Sequence, residues 1–337
     1  MVFIHNNLEE INFVGKTVSI DDPLAVEITR FLITSILARI AVPLFFFTSS
    51  YLLFKKNDPY PVLLKKKIRS LAVPYFLWNA LLILIYFLAQ QIPFLKQYFA
   101  TVIISELDLK GLLKLFIVRN GFGVGCSGPL IYQFWFVRDL FLCVVFSPII
   151  KRLFKRLPLF SLVAVFLFFQ SDLLYRGIRT AAFYFSLGCL AARFDLTYKN
   201  IERIRFTDIG LLFALIVALR FYFHFSSNAP LPFLSVLSIL IGGILLLKIS
   251  GIACKNERIF ARLKYLAGFS FWVYATHGEL IVVIKKLWAK FLPLSGAWLF
   301  AEYFGGTALC VALCLLAAVV IKKVAPRLYA LFTGNRA

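Results

Sequence analysis

Ionisable side chains interrupt apolar stretches of this chain at two places where they could do chemistry. Arg138 and Asp139 stand side by side in Phe134-Trp-Phe-Val-Arg-Asp-Leu140, and His277 and Glu279 follow Phe271-Trp-Val-Tyr-Ala-Thr. Charged groups surrounded by hydrocarbon mark either a function or an ion pair inside a bundle, and residue type alone leaves both open. His277 poses the same choice, between a working histidine and a core one bonded to a carbonyl. His5 lies beside Asn6 and Asn7, with Glu9 four residues on. An imidazole changes charge near neutral pH, so it can take a proton from a hydroxyl, and a nearby carboxylate can orient it. Lys65-Lys66-Lys67 and Arg69 form the densest basic cluster. Such a cluster suits phosphate groups or marks sidedness in a membrane.

Other patterns exclude chemistries. The cysteines Cys126, Cys143, Cys189, Cys254, Cys310 and Cys314 contain no C-x-x-C, and no histidine stands at metal-ligand spacing, so no metal is expected. Cys310 and Cys314 share a helical face, which suits small thiols packed between helices. His277-Gly-Glu279 has the H-x-E half of a zinc deaminase signature without its P-C-x-x-C partner. Gly123-x-Gly125-x-x-Gly128 has dinucleotide-fingerprint spacing, yet no strand precedes it and no βαβ unit surrounds it. It reads as a flexible loop. No P-loop is present, and nothing points to ATP.

The elements that must position these residues are membrane helices. Of 337 residues, 61% are hydrophobic and 16% charged, against roughly 25% charged in a soluble domain. A water-soluble globule, a disordered chain and a disulfide scaffold are thereby excluded. Apolar runs of about 20 residues, enough to cross roughly 30 Å of hydrocarbon, recur along the chain. They predict an all-α polytopic bundle with nine spans, at 35–54, 71–91, 132–150, 157–174, 176–194, 208–225, 231–247, 266–287 and 297–321. Continuous rather than alternating hydrophobicity favours helices over a β-barrel. Pro43 and Pro74 are expected near helix ends or kinks. The whole of 1–337 reads as one integral-membrane domain, with 1–34 the remnant of a first span plus an outer loop. Residues 92–131 form the longest outer loop, in which leucines interleaved with Lys110 and Lys114 predict an interfacial helix.

The net charge of +21 is distributed topologically. One set of alternate loops holds 23 Lys and Arg, the other nine, and five more lie inside or at the edges of spans. Positive residues stay preferentially on the cytoplasmic side, which places the 55–70 loop and the C-terminus there and makes a nucleic-acid partner unnecessary. His224 and Arg220, near an outer boundary, read as interfacial side chains with their heads at the surface. Met1–His5 is too short to span, and the reading frame is expected to begin upstream.

His5 closing an apolar scrap, Ala41-Val-Pro-Leu-Phe-Phe-Phe-Thr-Ser-Ser-Tyr-Leu-Leu-Phe54, Lys66-Lys-Ile-Arg-Ser-Leu-Ala-Val-Pro-Tyr75, Phe134–Leu140 and Phe271–His277 follow one another along the chain. In these segments and their order the chain resembles the acyltransferase-3 family of integral-membrane O-acyltransferases over nearly its whole length. It departs at Ser50, where the family usually has glycine, at Lys66 of Lys66-x-x-Arg69, and in lacking the arginine that precedes the family's histidine. The resemblance implies that His5 is the catalytic base and that the donor is acetyl-CoA or another acyl-CoA. It also implies a hydroxyl of a cell-surface or lipid-linked carbohydrate as acceptor, and the bacterial inner membrane as location. Lys66 and Arg69 would then pair with donor phosphates. Trp135, Arg138, Asp139, Tyr274 and His277 would support substrate or structure, the two aromatics by stacking on a sugar ring or by forming part of an aromatic belt. A flippase of lipid-linked sugars would suit the same helices, although no repeat shared by two halves is evident. An inactive truncated relative is the third reading.

Overall fold

Each of the nine apolar runs is helical in the computed structural model, which describes residues 2–6, 10–13, 16–19, 23–96, 99, 102–117, 128–226 and 231–335. Glu9, Cys126 and all of the glycine-rich stretch up to Gly128 lie outside the described residues. A short helix, α1 (Val2–His5), precedes a two-stranded antiparallel hairpin, Glu10–Phe13 with Lys16–Ser19, a small departure from the all-helical expectation. The long helices α2 (Leu24–Lys56) and α3 (Tyr60–Gln90) follow, then the amphipathic helix α4 (Leu109–Ile117). Next come α5 (Tyr132–Val145), α6 (Ser147–Arg156), α7 (Pro158–Gln170) and α8 (Arg176–Arg193). The last part holds α9 (Phe206–Ser226), α10 (Pro232–Cys254), α11 (Glu257–Ala267), α12 (Ser270–Phe291), α13 (Ala297–Val324) and α14 (Pro326–Thr333).

Five helices (α2, α3, α9, α10 and α13) are long and apolar enough to cross a membrane singly. Two expected spans are bent pairs instead: α5 and α6 meet at 59°, and α11 and α12 at 56°. Pro148 explains the first bend, since it cannot donate to the preceding turn. The expected span at 157–174 is only the 13-residue α7, about 20 Å long. The remaining one, α8, carries three arginines yet buries half its residues, among them Ala181, Phe183, Tyr184, Phe185, Gly188 and Ala191. A helix that faces protein rather than lipid needs little hydrocarbon on its surface.

The basic 55–70 segment is a correction of a different kind. Asn57, with φ of +50°, ends α2, and α3 begins three residues later, so Lys65, Lys66, Lys67 and Arg69 sit on a helix and not in a loop. Lysine and arginine are good helix formers, and Pro61 in the first turn of α3 suits a helix start. The prolines also act further on. Pro74 follows a π-helical stretch, Ile68–Ala72, and Pro43 follows a π-helical stretch, Phe31–Leu37, and a tight turn, Ala38–Ile40. A proline ring clashes with the carbonyl four residues back and withholds its own donor, so the turns before it rewind. A third π-helical stretch, Ala301–Gly306, lies early in α13 and ends on two glycines.

Helices α2 and α8 run parallel in tight contact. Ser50 Oγ donates to the Phe185 carbonyl at 2.5 Å, and Lys55 pairs with Asp195 at the far end. A Cβ on Gly188 would strike the Phe47 carbonyl and come within 2.7 Å of the Ser50 Cβ, so the approach requires glycine.

Candidate active site

A four-residue helix cannot hold its own shape, and α1 is pinned by side chains from three other elements. Thr34 Oγ1 on α2 donates to the Phe3 carbonyl at 3.1 Å, and Lys285 Nζ on α12 donates to the His5 carbonyl at 3.2 Å. The Asn6 amide donates to the Tyr303 carbonyl at 3.2 Å and to Thr307 Oγ1 at 3.1 Å, both on α13. These contacts take up carbonyls that a helix end leaves unpaired, and the lysine cation stands where the helix dipole favours it. The His5 backbone is thus fixed although its element is short.

The His5 ring meets His277 edge-on, with centroids 5.2 Å apart, and Tyr132 at 6.0 Å. His277 is fully buried. Its Nδ1 lies 2.9 Å from the Val273 carbonyl, which can only accept, so Nδ1 carries a proton and Nε2 keeps a lone pair. No hydrogen-bond partner reaches that Nε2 among the described residues. Behind it, the Gln133 amide donates to the Ala275 carbonyl at 3.2 Å and packs on Gly278, where a Cβ would collide with it. The Tyr274 hydroxyl donates to the Gln133 carbonyl at 2.5 Å, and its ring lies parallel to Phe134 at 5.6 Å. Tyr274 therefore locks α5 onto α12. Trp135 packs against Gly177 and Phe46 on the other side of α5.

Arg138 and Asp139 form a closed knot. Arg138 Nε donates to Asp139 Oδ1 at 2.9 Å, and its terminal nitrogens donate to the Tyr175 hydroxyl and to the Ile117 carbonyl. The Tyr175 hydroxyl in turn donates to the other Asp139 oxygen, and the guanidinium lies over the Tyr175 ring at 4.7 Å. Asp139 is wholly buried. Of the two readings open from the sequence, the geometry gives the internal ion pair, which also caps α4 and ties it to α5 and α8. Gly177 belongs to the knot, since a Cβ there would press on Asp139, Trp135 and Tyr175.

The basic cluster on α3 is not uniform. Lys66 donates to Asp58 at 2.9 Å, whereas Arg69, on the π-helical stretch, is exposed and has no ion-pair or hydrogen-bond partner among the described residues. The Lys66 ammonium, bonded to the exposed Asp58 carboxylate outside the spans, holds that group below the usual carboxylate range.

Glu302, Lys285 and Arg30 went unnoticed in the sequence, and Asn6 stood out there only as a neighbour of His5. Glu302, on the π-helical stretch of α13, is fully buried, with Lys285 and buried Arg30 supplying opposite charge. Asn6 is buried against α13, and Lys285 holds α1. The signal available was their charge or polarity inside or beside an apolar run, the criterion that singled out His277. Arg220 is a correction as well: it does not reach for the surface but donates to Ser238 Oγ at 2.8 Å and to the Ser35 carbonyl at 3.2 Å inside the bundle.

Comparison with known proteins bears on this arrangement. Residues 1–319 match a family model described as an acyltransferase domain. Over 309 residues the chain is 26% identical to the succinoglycan biosynthesis protein ExoH of Rhizobium meliloti (strain 1021), a match that covers 89% of this chain and 80% of that protein. No solved structure matches the chain.

Proposed function

The chain belongs to the acyltransferase-3 family and is a membrane acyltransferase, and from that premise we propose that it moves an acyl group, acetyl in the simplest case, from acyl-CoA on the cytoplasmic side to a hydroxyl of a cell-surface or lipid-linked carbohydrate. The name of the relative in succinoglycan biosynthesis agrees with a carbohydrate acceptor.

His5 is the base in this scheme. The acceptor hydroxyl gives its proton to the imidazole as its oxygen attacks the thioester carbonyl; the new carbon–oxygen bond forms, the carbon–sulfur bond breaks and the CoA sulfur leaves. The proton on His5 then passes to the departing thiolate. A general base of this kind accelerates transfer by about 10²–10⁴-fold, provided its geometry is held. Lys285, Asn6 and Thr34 hold it, while Glu302 acts as a positioning residue through Lys285. The observation that carries the reading is the pinning of His5 from three helices, with the residue left only half-buried beside His277.

Arg69, whose guanidinium has no partner among the described residues, and Lys66 would pair with the donor's phosphates at the cytoplasmic end of α3. The test is incubation of purified protein with labelled acetyl-CoA and a lipid-linked saccharide acceptor. Label should move to the acceptor with wild type, and no transfer together with no acyl-CoA binding would overturn the scheme. An inner-membrane location with the C-terminus cytoplasmic is part of the proposal. In a variant cleared of native thiols, an impermeant reagent applied to intact cells should label Leu113→Cys and not Lys56→Cys.

A further inference from the structure

Arg39, midway along α2, and Arg176, the first residue of α8, are exposed arginines without the partners that Arg138 and Arg220 have among the described residues. The parallel register of α2 and α8 brings them together. Ser50 meets Phe185 at a sequence separation of 135, and Lys55 meets Asp195 at 140. Arg39 and Arg176 differ by 176 − 39 = 137, so the same register sets them opposite each other. Their guanidinium groups are in electrostatic contact, and Arg39 also feels Tyr132 and Arg220. Arg220 is committed to Ser238 and Ser35. Neither Arg39 nor Arg176 has an ion pair or a side-chain hydrogen bond among the described residues.

Two guanidinium groups set side by side with no counter-ion among the described residues repel each other, and an anion between them would relieve that repulsion and could bond to both. Arg39 is crowded by protein yet retains accessible surface, as Arg176 does, and Tyr132 is 53% exposed. Tyr132 is also the neighbour of His5, and α1 packs on the 38–40 turn that carries Arg39. The donor's phosphates do not belong here, because Arg39 lies 17 residues before Lys56, about 25 Å along the helix from the cytoplasmic end.

We propose that Arg39 and Arg176 form an anion-binding subsite for a phosphate or carboxylate carried by the acyl acceptor, with Tyr132 between that subsite and His5. The acceptor is thereby an acidic or phosphate-linked saccharide rather than a neutral one. This inference rests on the acyl-transfer reading for the identity of its ligand, but the subsite can be tested without turnover.

The full chain in phosphatidylcholine nanodiscs is titrated with inorganic pyrophosphate, glucuronate and glucose while thermal unfolding is followed. Pyrophosphate or glucuronate should raise the unfolding temperature saturably and glucose should not; the stronger of the two identifies the anion as phosphate or carboxylate. Arg39→Gln and Arg176→Gln should each weaken apparent affinity by about tenfold or more, as expected for a lost charge-assisted hydrogen bond. Lys96→Gln, on the outer segment, should leave it unchanged. Should a glutamine variant fail to fold, Arg39→Lys, which keeps the charge but loses the planar fork, should still weaken binding measurably. No response of wild type to either anion, or an equal response in the variants, overturns the subsite. Stabilisation by phosphatidylglycerol discs in place of both soluble anions assigns the arginines to a lipid headgroup and overturns the acceptor role. Acyl-CoA binding by the wild type in the same discs is scored separately, so failure of the donor reading is distinguishable from failure of the anion site.

Discussion

The Arg138–Asp139–Tyr175 knot and the surroundings of His5 use the same kinds of residue to opposite ends. In the knot the guanidinium is spent on Asp139, Tyr175 and the end of α4, and the carboxylate is sealed from solvent. Around His5 the backbone is pinned while the residue stays only half-buried, and the buried His277 Nε2 beside it has no hydrogen-bond partner among the described residues. Polar groups that satisfy one another hold helices together, whereas a histidine held through its backbone leaves its ring for a substrate. Substitutions should therefore separate into those that unfold the protein and those that silence it.

The largest effect is expected at His5. His5→Ala should lower transfer by about 10²–10⁴-fold while leaving acyl-CoA binding and unfolding temperature near wild type; loss of binding in parallel would put His5 in a structural role. Next comes Asp139→Ala, which strands a guanidinium inside the bundle and should destabilise by about 3–5 kcal/mol, read as an earlier unfolding midpoint. If Asp139→Ala instead unfolds like wild type and only slows transfer, the contrast between the two regions collapses. Arg69→Ala should weaken acyl-CoA binding by about 1.5–3 kcal/mol, with turnover recovered at high donor concentration.

The smallest effect is expected from the exposed Lys66–Asp58 pair. Because Lys66 holds the Asp58 carboxyl below its ordinary value of about 3.9, whatever the pair contributes is present above that pH and lost as pH falls through the lowered one. Asp58→Asn should leave the unfolding temperature at neutral pH unchanged within error, and raised salt should change it no further.

The spans were legible because hydrophobicity over about 20 residues is a property of the chain alone. Their shapes were less so. Pro148 was visible as a residue but not as a 59° bend, and α8 read as an ordinary span although its apolar side chains face other helices. His5 stood out by order among neighbouring segments, whereas Glu302, Asn6 and Arg39 have no local pattern to betray them. Their meaning comes from residues as many as 301 positions away, as Asn6 on Thr307 shows, or from the register of two parallel helices. The lysines at 65–67 were misplaced into a loop because charge was allowed to outweigh their helix propensity.

The three rewound stretches, Phe31–Leu37, Ile68–Ala72 and Ala301–Gly306, bear Thr34, Arg69 and Glu302 with Tyr303. A π turn is an α turn with one residue too many, and it acts as a phase shifter: side chains beyond it point about 100° away from where an unbroken α-helix would aim them. Deleting a single residue, such as Ile33, would tidy α2 into regular helix and turn Arg30 out of step with Thr34 and Arg39, at little loss of hydrocarbon. The irregular turns are thus timing marks in the chain, and a shortened helix would fit the membrane while its polar groups missed their appointments.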